Sequence, residues 1–257
     1  MLTIAQEFSR RTESVIALLD IVAAAIVVAK ADHKKIKTRA PFVVLSKKLK
    51  NAVLANADFQ FTALDGPYLT LCAEYEMTIR NLIEKFVLDA VQKCPEYHHL
   101  PREMREWYPD GCSKVILDIK QDKFSHLTKE QLVRSLASSL KNREYNLLGE
   151  VFSYNQINFW PEIVEDTLSK RLGLLKIWQK LSRDTTLQGI IGTTVLATVE
   201  RQLKEKLGKI MQKRNDIIHR GRNYCTSSDS EVREAAKILK GIVDALAKLM
   251  EQYLDSL

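Results

Sequence analysis

The chain has 257 residues and a formal charge of +7, from 39 Lys and Arg against 32 Asp and Glu. Apolar residues make up 46% and charged residues 28%, which excludes a disordered or collagen-like chain and suffices for a sizeable core. The modest positive excess suits an anionic partner such as nucleic acid without specifying one.

Nine Gly and six Pro leave few breaks, so long helices are expected. The first spans Thr3 to about Ala31, with Ile4, Phe8, Val15, Leu18, Val22 and Ile26 on one stripe. Within it Val15–Ala29 is almost wholly apolar. It is shorter than the ~20 residues that cross a bilayer and carries Asp20, so a helix enclosed on most sides of a bundle is expected, with no membrane role. A basic stretch, His33–Arg39, precedes Pro41, and residues 42–57 again read as helical. Asp65-Gly66-Pro67 marks a turn ahead of a long helix from about Pro67 to Gln92. Leu71, Tyr75, Ile79, Leu82 and Phe86 recur along it at helical spacing, and Glu74, Glu76 and Arg80 are its central polar residues.

From Pro95 to about Asp110 the pattern breaks into a loop-rich stretch. Short helices are expected at Ser113–Lys120 and Thr128–Lys141, the second opened by a capping box, Thr128-Lys129-Glu130-Gln131. Pro161 opens another through Leu172, and a further short one covers Leu174–Leu181. The aromatics Tyr97, Trp107, Tyr108, Phe159 and Trp160 could stack on bases, but core packing is the expectation. Capped by Asp184 or Thr185, one long helix then runs to about Ile218 across Gly189, Gly192 and Gly208. After a polar loop from Gly221, a last helix starts at Asp229 or Ser230. Its three-four spacing from Val232 to Tyr253 forms a seam for another helix.

Cys72, Cys94, Cys112 and Cys225 are widely spaced, with no C-x-x-C pair and no secretory leader. They read as reduced thiols of a cytoplasmic protein, and His98-His99 near Cys94 as surface residues. No metal and no cofactor is expected.

Between the last two helices lies Lys213-Arg214-Asn215-Asp216-Ile217-Ile218-His219-Arg220-Gly221-Arg222, half of it Lys, Arg or His. A cation-rich helix end closed by Gly221 explains the charge without any function. An Arg five residues before a His also supplies what metal-free RNA cleavage needs: a cation for the phosphorane and a group titrating near neutrality. Residues five apart differ by about 140° around a helix, so convergence requires the helix to end or widen between them. No other histidine of the chain has an arginine four to six residues before it.

The stretch R-N-D-I-I-H-R-G resembles the R-x4-6-H signature of the HEPN superfamily, small helical domains of many prokaryotic toxin and antiviral ribonucleases. Tyr68–Phe86 resembles the earlier helix of that domain, whose acidic or polar residue faces the motif; Glu76 is the first match and Glu74 the second. The large single-domain form with an insertion between these helices looks most like the RiboL-PSP-HEPN and MAE-type branches; the resemblance covers about Asp65–Val91 and Thr185–Leu254, and Lys93 to about Arg183 matches only loosely. The resemblance implies an all-α, up-and-down bundle forming one domain over 1–257, with a helical, loop-rich insertion at roughly 93–183. It further implies a metal-independent endoribonuclease acting on single-stranded RNA, a toxin or defence effector, working as a homodimer with a composite site and held by an antitoxin or defence partner. By residue, Arg214 would bind the phosphate, His219 would be base or acid, Asn215 would hold the loop or substrate, and Glu76 would orient Arg214 or His219. Lys213, Arg220 and Arg222 would track the RNA backbone. Blander roles remain for each: a backbone cap for Asn215, a structural ion pair for Glu76, solvated cations for the rest. Two other readings stay open: a catalytically silent HEPN-like module that binds RNA or nucleotide or serves assembly, and a scaffold that dimerises through the Val232–Tyr253 seam.

Overall fold

A computed structural model describes residues 1–30, 63–120, 126–154, 158–219 and 227–257, with Val44, Lys47, Lys48, Lys50, Asn51 and Phe124. Of the expected helix over 42–57 only Val44, Lys47, Lys48, Lys50 and Asn51 are described, each helical; the basic stretch 33–39, Arg220, Gly221, Arg222 and Cys225 lie wholly outside the described residues. Among the described residues the chain is all-α and has no strand; one isolated bridge joins Glu96 to Arg143.

The helices are α1 (Leu2–Lys30), α2 (Asp65–Lys93), α3 (Arg102–Asp118), α4 (Lys129–Ser139), α5 (Gly149–Ser153), α6 (Pro161–Glu165), α7 (Ile177–Leu181), α8 (Thr185–Ile191), α9 (Leu196–His219) and α10 (Asp229–Asp255). The bundle is α1, α2, α9 and α10, with α2 and α10 at its centre; of the insertion helices α3 to α7, α5 lies on α2 whereas α7 packs on α9 and α10.

α1 lays Ala5, Phe8, Val15 and Leu19 on α2 and α10. Its second half is not enclosed as the sequence suggests: Ile21 is 66% and Val27 69% exposed. Two neighbouring helices can cover only one stripe of a third, and the apolar residues here run all round the helix. No helix among the described residues is long and apolar enough to cross a membrane.

Asp65-Gly66-Pro67 proves to be the first turn of α2 rather than a turn before it. Pro67 lacks a donor that no helical carbonyl would have used, and Asp65 accepts from the Ser227 backbone N–H at 2.8 Å, joining α2 to the start of α10.

The stretch around Pro109 is a second correction, because α3 runs straight through it. An interior proline frees the carbonyl four residues earlier. That carbonyl is Arg105 O, and the Tyr97 hydroxyl donates to it at 3.3 Å. The amphipathic pattern then prevails: Met104, Tyr108, Cys112 and Val115 are buried, with Tyr108 stacked on Phe152. Tyr108 and Phe159 are core residues, and Tyr97, Trp107 and Trp160 pack against the core. The capping box at Thr128 and Gln131 is present, with Gln131 N donating to Thr128 Oγ1 at 3.1 Å. α6 continues through a wider, π-helical stretch, Asp166–Arg171, so the expected helix reaches Arg171.

The long C-terminal helix expected from residue 184 is two helices. Asp184 does cap the first, its Oδ1 accepting from Leu187 N at 3.0 Å, but Gly192 adopts φ +81° and ends it. The seam of α10 is consumed within the chain: Val232, Ala235, Leu239, Ile242 and Leu246 are all buried. Gly241 lets α8 approach closely, since a Cβ there would lie 2.7 Å from Ile190 Cδ1. The scaffold reading, which needs that seam free for a second copy, is thereby corrected.

Candidate functional site

α9 is amphipathic, and Val199, Leu203, Leu207, Ile210 and Met211 form its buried stripe. The next position on that stripe is Arg214. A guanidinium thus stands where the helical period calls for an apolar side chain, with only 23% of its side chain exposed. A charge so placed needs partners. Across the helix interface stands Glu76 of α2, 16% exposed, its Oε1 3.9 Å from Arg214 Nε. That separation is an ion pair but too long for a hydrogen bond.

Asn158, from the segment leading into α6, fills the gap. A carboxylate only accepts and a guanidinium only donates, so the amide between them must turn its nitrogen to the acid. In that orientation it donates to Glu76 Oε1 at 3.1 Å and accepts from Arg214 Nη1 at 2.6 Å. Asn215 Oδ1 accepts from the same Nη1 at 3.1 Å, and in this orientation the Asn158 side-chain oxygen and Asn215 Oδ1, both acceptors, lie 3.0 Å apart. One guanidinium nitrogen therefore serves both amides.

Below Glu76, at four-residue steps along α2, come Arg80 and Glu84. Arg80 Nη1 donates to Ser153 O at 3.0 Å and its guanidinium lies 5.2 Å from the Phe159 ring centre. Glu84 accepts from Ser153 Oγ at 2.8 Å. Gly149 permits this close approach, because a Cβ there would sit 2.7 Å from Glu84 Cα. Burial raises the Glu76 carboxyl above its usual range, with Arg214 and then Arg80 pulling it back; burial raises Glu84 too and lowers Arg80. Burial, and then the Glu76 charge, push the Cys72 thiol up to about 12, so it is no nucleophile.

The other sequence-derived residues are placed differently. His219 is the last residue of α9, exposed, with no hydrogen bond or ion pair among the described residues. The helix neither ends nor widens between Arg214 and His219, contrary to the condition set for their convergence. Within one chain they point about 140° apart, separated by a rise of about 7.5 Å. Glu74 faces away, paired with Arg11 Nη1 at 2.8 Å, so of the two acids Glu76 is the one beside Arg214. Lys213 turns to another face of α9, where it meets Glu231 Oε1 at 2.5 Å and lies 5.8 Å from the Tyr68 ring centre.

Far along the sequence from Arg214, the neighbouring residues Glu96, His98 and His99 bring three ligand atoms within 4.8 Å of one another. Arg143 already holds that carboxylate at 2.6 Å, and His98 Nδ1 lies 2.6 Å from Asn142 Oδ1. Sequence reasoning missed Asn158 and the contact of Arg80 with the insertion. Arg80 was visible as a charge on a mostly apolar helix face, whereas Asn158 lies in an irregular segment with no period to read.

The model of the RiboL-PSP-HEPN family matches residues 46–252, from before α2 to the last turns of α10. Neither a curated protein nor a solved structure matches the chain.

Proposed function

The chain belongs to the RiboL-PSP-HEPN family, and from that premise we propose that it is a metal-independent endoribonuclease of single-stranded RNA acting through Arg214 and His219. The observation that carries this is Arg214, a cation set on a buried stripe and oriented by an acid and two amides. Such an arrangement suits a phosphate that must be held while negative charge builds on it. Asn215 and Glu76 orient the guanidinium, and Arg220 and Arg222 add charge along the RNA backbone. Lys213 contributes to the field from the neighbouring face.

In the reaction the ribose 2′-oxygen attacks phosphorus as its proton passes to a histidine, and the bond to the 5′-oxygen breaks as that oxygen takes up a proton. The products are a 2′,3′-cyclic phosphate and a 5′-hydroxyl. One chain turns His219 away from its own Arg214 face, so the reaction is assigned to a homodimer whose two motifs line one cleft. One His219 then accepts the proton and the other supplies one. The family resemblance supports a role as a toxin or defence effector restrained by a partner protein.

A catalytically silent RNA-binding or assembly module is the second reading. It is favoured by one observation, that His219 has no orienting partner among the described residues, whereas a general base is ordinarily held in place. The experiment is cleavage of single-stranded RNA, and of DNA of the same sequence, in excess chelator. RNA cut to a cyclic phosphate with the DNA intact supports the enzyme; binding without cleavage supports the silent module; restoration of activity only by added magnesium sinks the metal-free scheme.

A further inference from the structure

We propose that Asn158 is a positioning residue of the Arg214 site, so that the insertion supplies part of the machinery instead of merely covering it. The inference rests on the functional reading above for its catalytic consequence, but not for its geometry. Glu76 Oε1 and Arg214 Nε are 3.9 Å apart, so direct contact does not fix the guanidinium's rotation. The Asn158 amide supplies both missing bonds, 3.1 Å to the acid and 2.6 Å to the cation, from one rigid plane. Its own location is tied down by the residues that follow it. Phe159 is fully buried with Arg80 over its ring, and Trp160 N donates to Asn158 O at 2.8 Å before Pro161 starts α6. A side chain so anchored sets the guanidinium plane, and a neutral amide does so without cancelling the cation's charge toward a phosphate.

Its test has one readout that does not depend on RNA cleavage. Glu76 would be followed by carbon-13 carboxyl NMR in full-length protein, its resonance assigned with Glu76→Gln; the charged or titratable groups near it are Arg214, Arg80, Cys72 and Tyr75. Removing the amide in Asn158→Ala takes away a donor to the carboxylate, and the titration is expected to move up by about one pH unit. An unmoved titration in a folded variant overturns the proposal. Should Asn158→Ala not fold, Asn158→Asp keeps the shape but sets a second carboxyl beside the first; it is expected to raise the Glu76 titration, and no change is again fatal.

With RNA, Asn158→Ala is expected to lower kcat about tenfold or more while KM changes little, because the guanidinium is misaimed and not lost. Equal kcat overturns the catalytic consequence. A wild-type protein that does not cleave, together with a shifted Glu76 titration, refutes the ribonuclease reading and leaves the positioning role standing.

Discussion

Glu76 and Arg214 face each other from different helices of the bundle at 3.9 Å, each mostly removed from solvent. The acid's folded pKa is raised, chiefly by burial and despite the cation. A carboxyl with a raised folded pKa binds its proton more tightly in the folded state. Its contribution therefore favours the fold at low pH and is lost as pH climbs from the unfolded value of about 4.5 through the folded one. The pair costs stability at neutral pH in order to hold a charge where the site needs it.

Arg214→Ala removes the cation but leaves the buried acid, raising its pKa further. The variant is expected to be more destabilised at pH 7 than at pH 4, by about 3 kcal/mol or less at neutrality. Denaturant melts at the two pH values check this; equal losses at both would mean that Glu76 is not held by Arg214.

His219→Ala touches only an exposed helix end, so its stability is expected to stay within about 0.5 kcal/mol of wild type. RNA cleavage is expected to fall by at least about 10²–10⁴-fold, the range for loss of one general acid or base, since the variant dimer lacks both. Paired measurement of unfolding and of the cleavage rate separates the two effects.

A composite site makes activity depend on assembly. Specific activity is expected to fall on dilution through the dimer dissociation range, measured alongside sedimentation. Inactive Arg214→Ala and His219→Ala proteins, mixed and allowed to exchange subunits, are expected to regain no more than part of the wild-type rate. A rate per chain that is constant across a monomer–dimer transition would refute the composite cleft.

Glu231 sits in the capping box that starts α10, with its backbone N–H donating to Ser228 Oγ at 3.2 Å and its carboxylate accepting from Ser228 N at 2.7 Å. Partial burial works against the charge, but the Lys213 ammonium and the Ser228 donors outweigh it and hold the carboxyl at about 2. This lowered pKa contributes stability that is present above about 4.5 and lost as pH falls toward 2. Glu231→Gln is expected to flatten that acid limb, and Ser228→Ala to cost about 1 kcal/mol at neutral pH. Unfolding curves between pH 2 and 7 provide the check.

Gly192 has φ +81° with nothing within 4 Å of where a Cβ would lie. Gly192→Ala therefore meets no clash and reports backbone strain alone, expected as a loss of about 1–2 kcal/mol. No loss would mean that α8 and α9 can fuse into one helix.

The periodic signal in the sequence was sufficient for α1, α2 and α10, for the caps at Thr128 and Asp184, and for the all-α class, because burying one stripe of a helix leaves a repeat of three and four. The R-x4-H segment was equally visible, as charge crowded against a helix end. Three things were not visible. Pro109 reads as a break until a distant hydroxyl, that of Tyr97, is seen to satisfy the carbonyl it frees. Gly192 reads like Gly189 and Gly208 until its positive φ separates them, since conformation and not composition decides whether a glycine ends a helix. Asn158 carries no pattern at all: it matters because Gly149 allows the insertion to lie against Glu84 and so bring an amide between Glu76 and Arg214. Local spacing determines which residues share a helix face, whereas contacts between residues 82 and 56 positions apart depend on how the helices and the insertion pack.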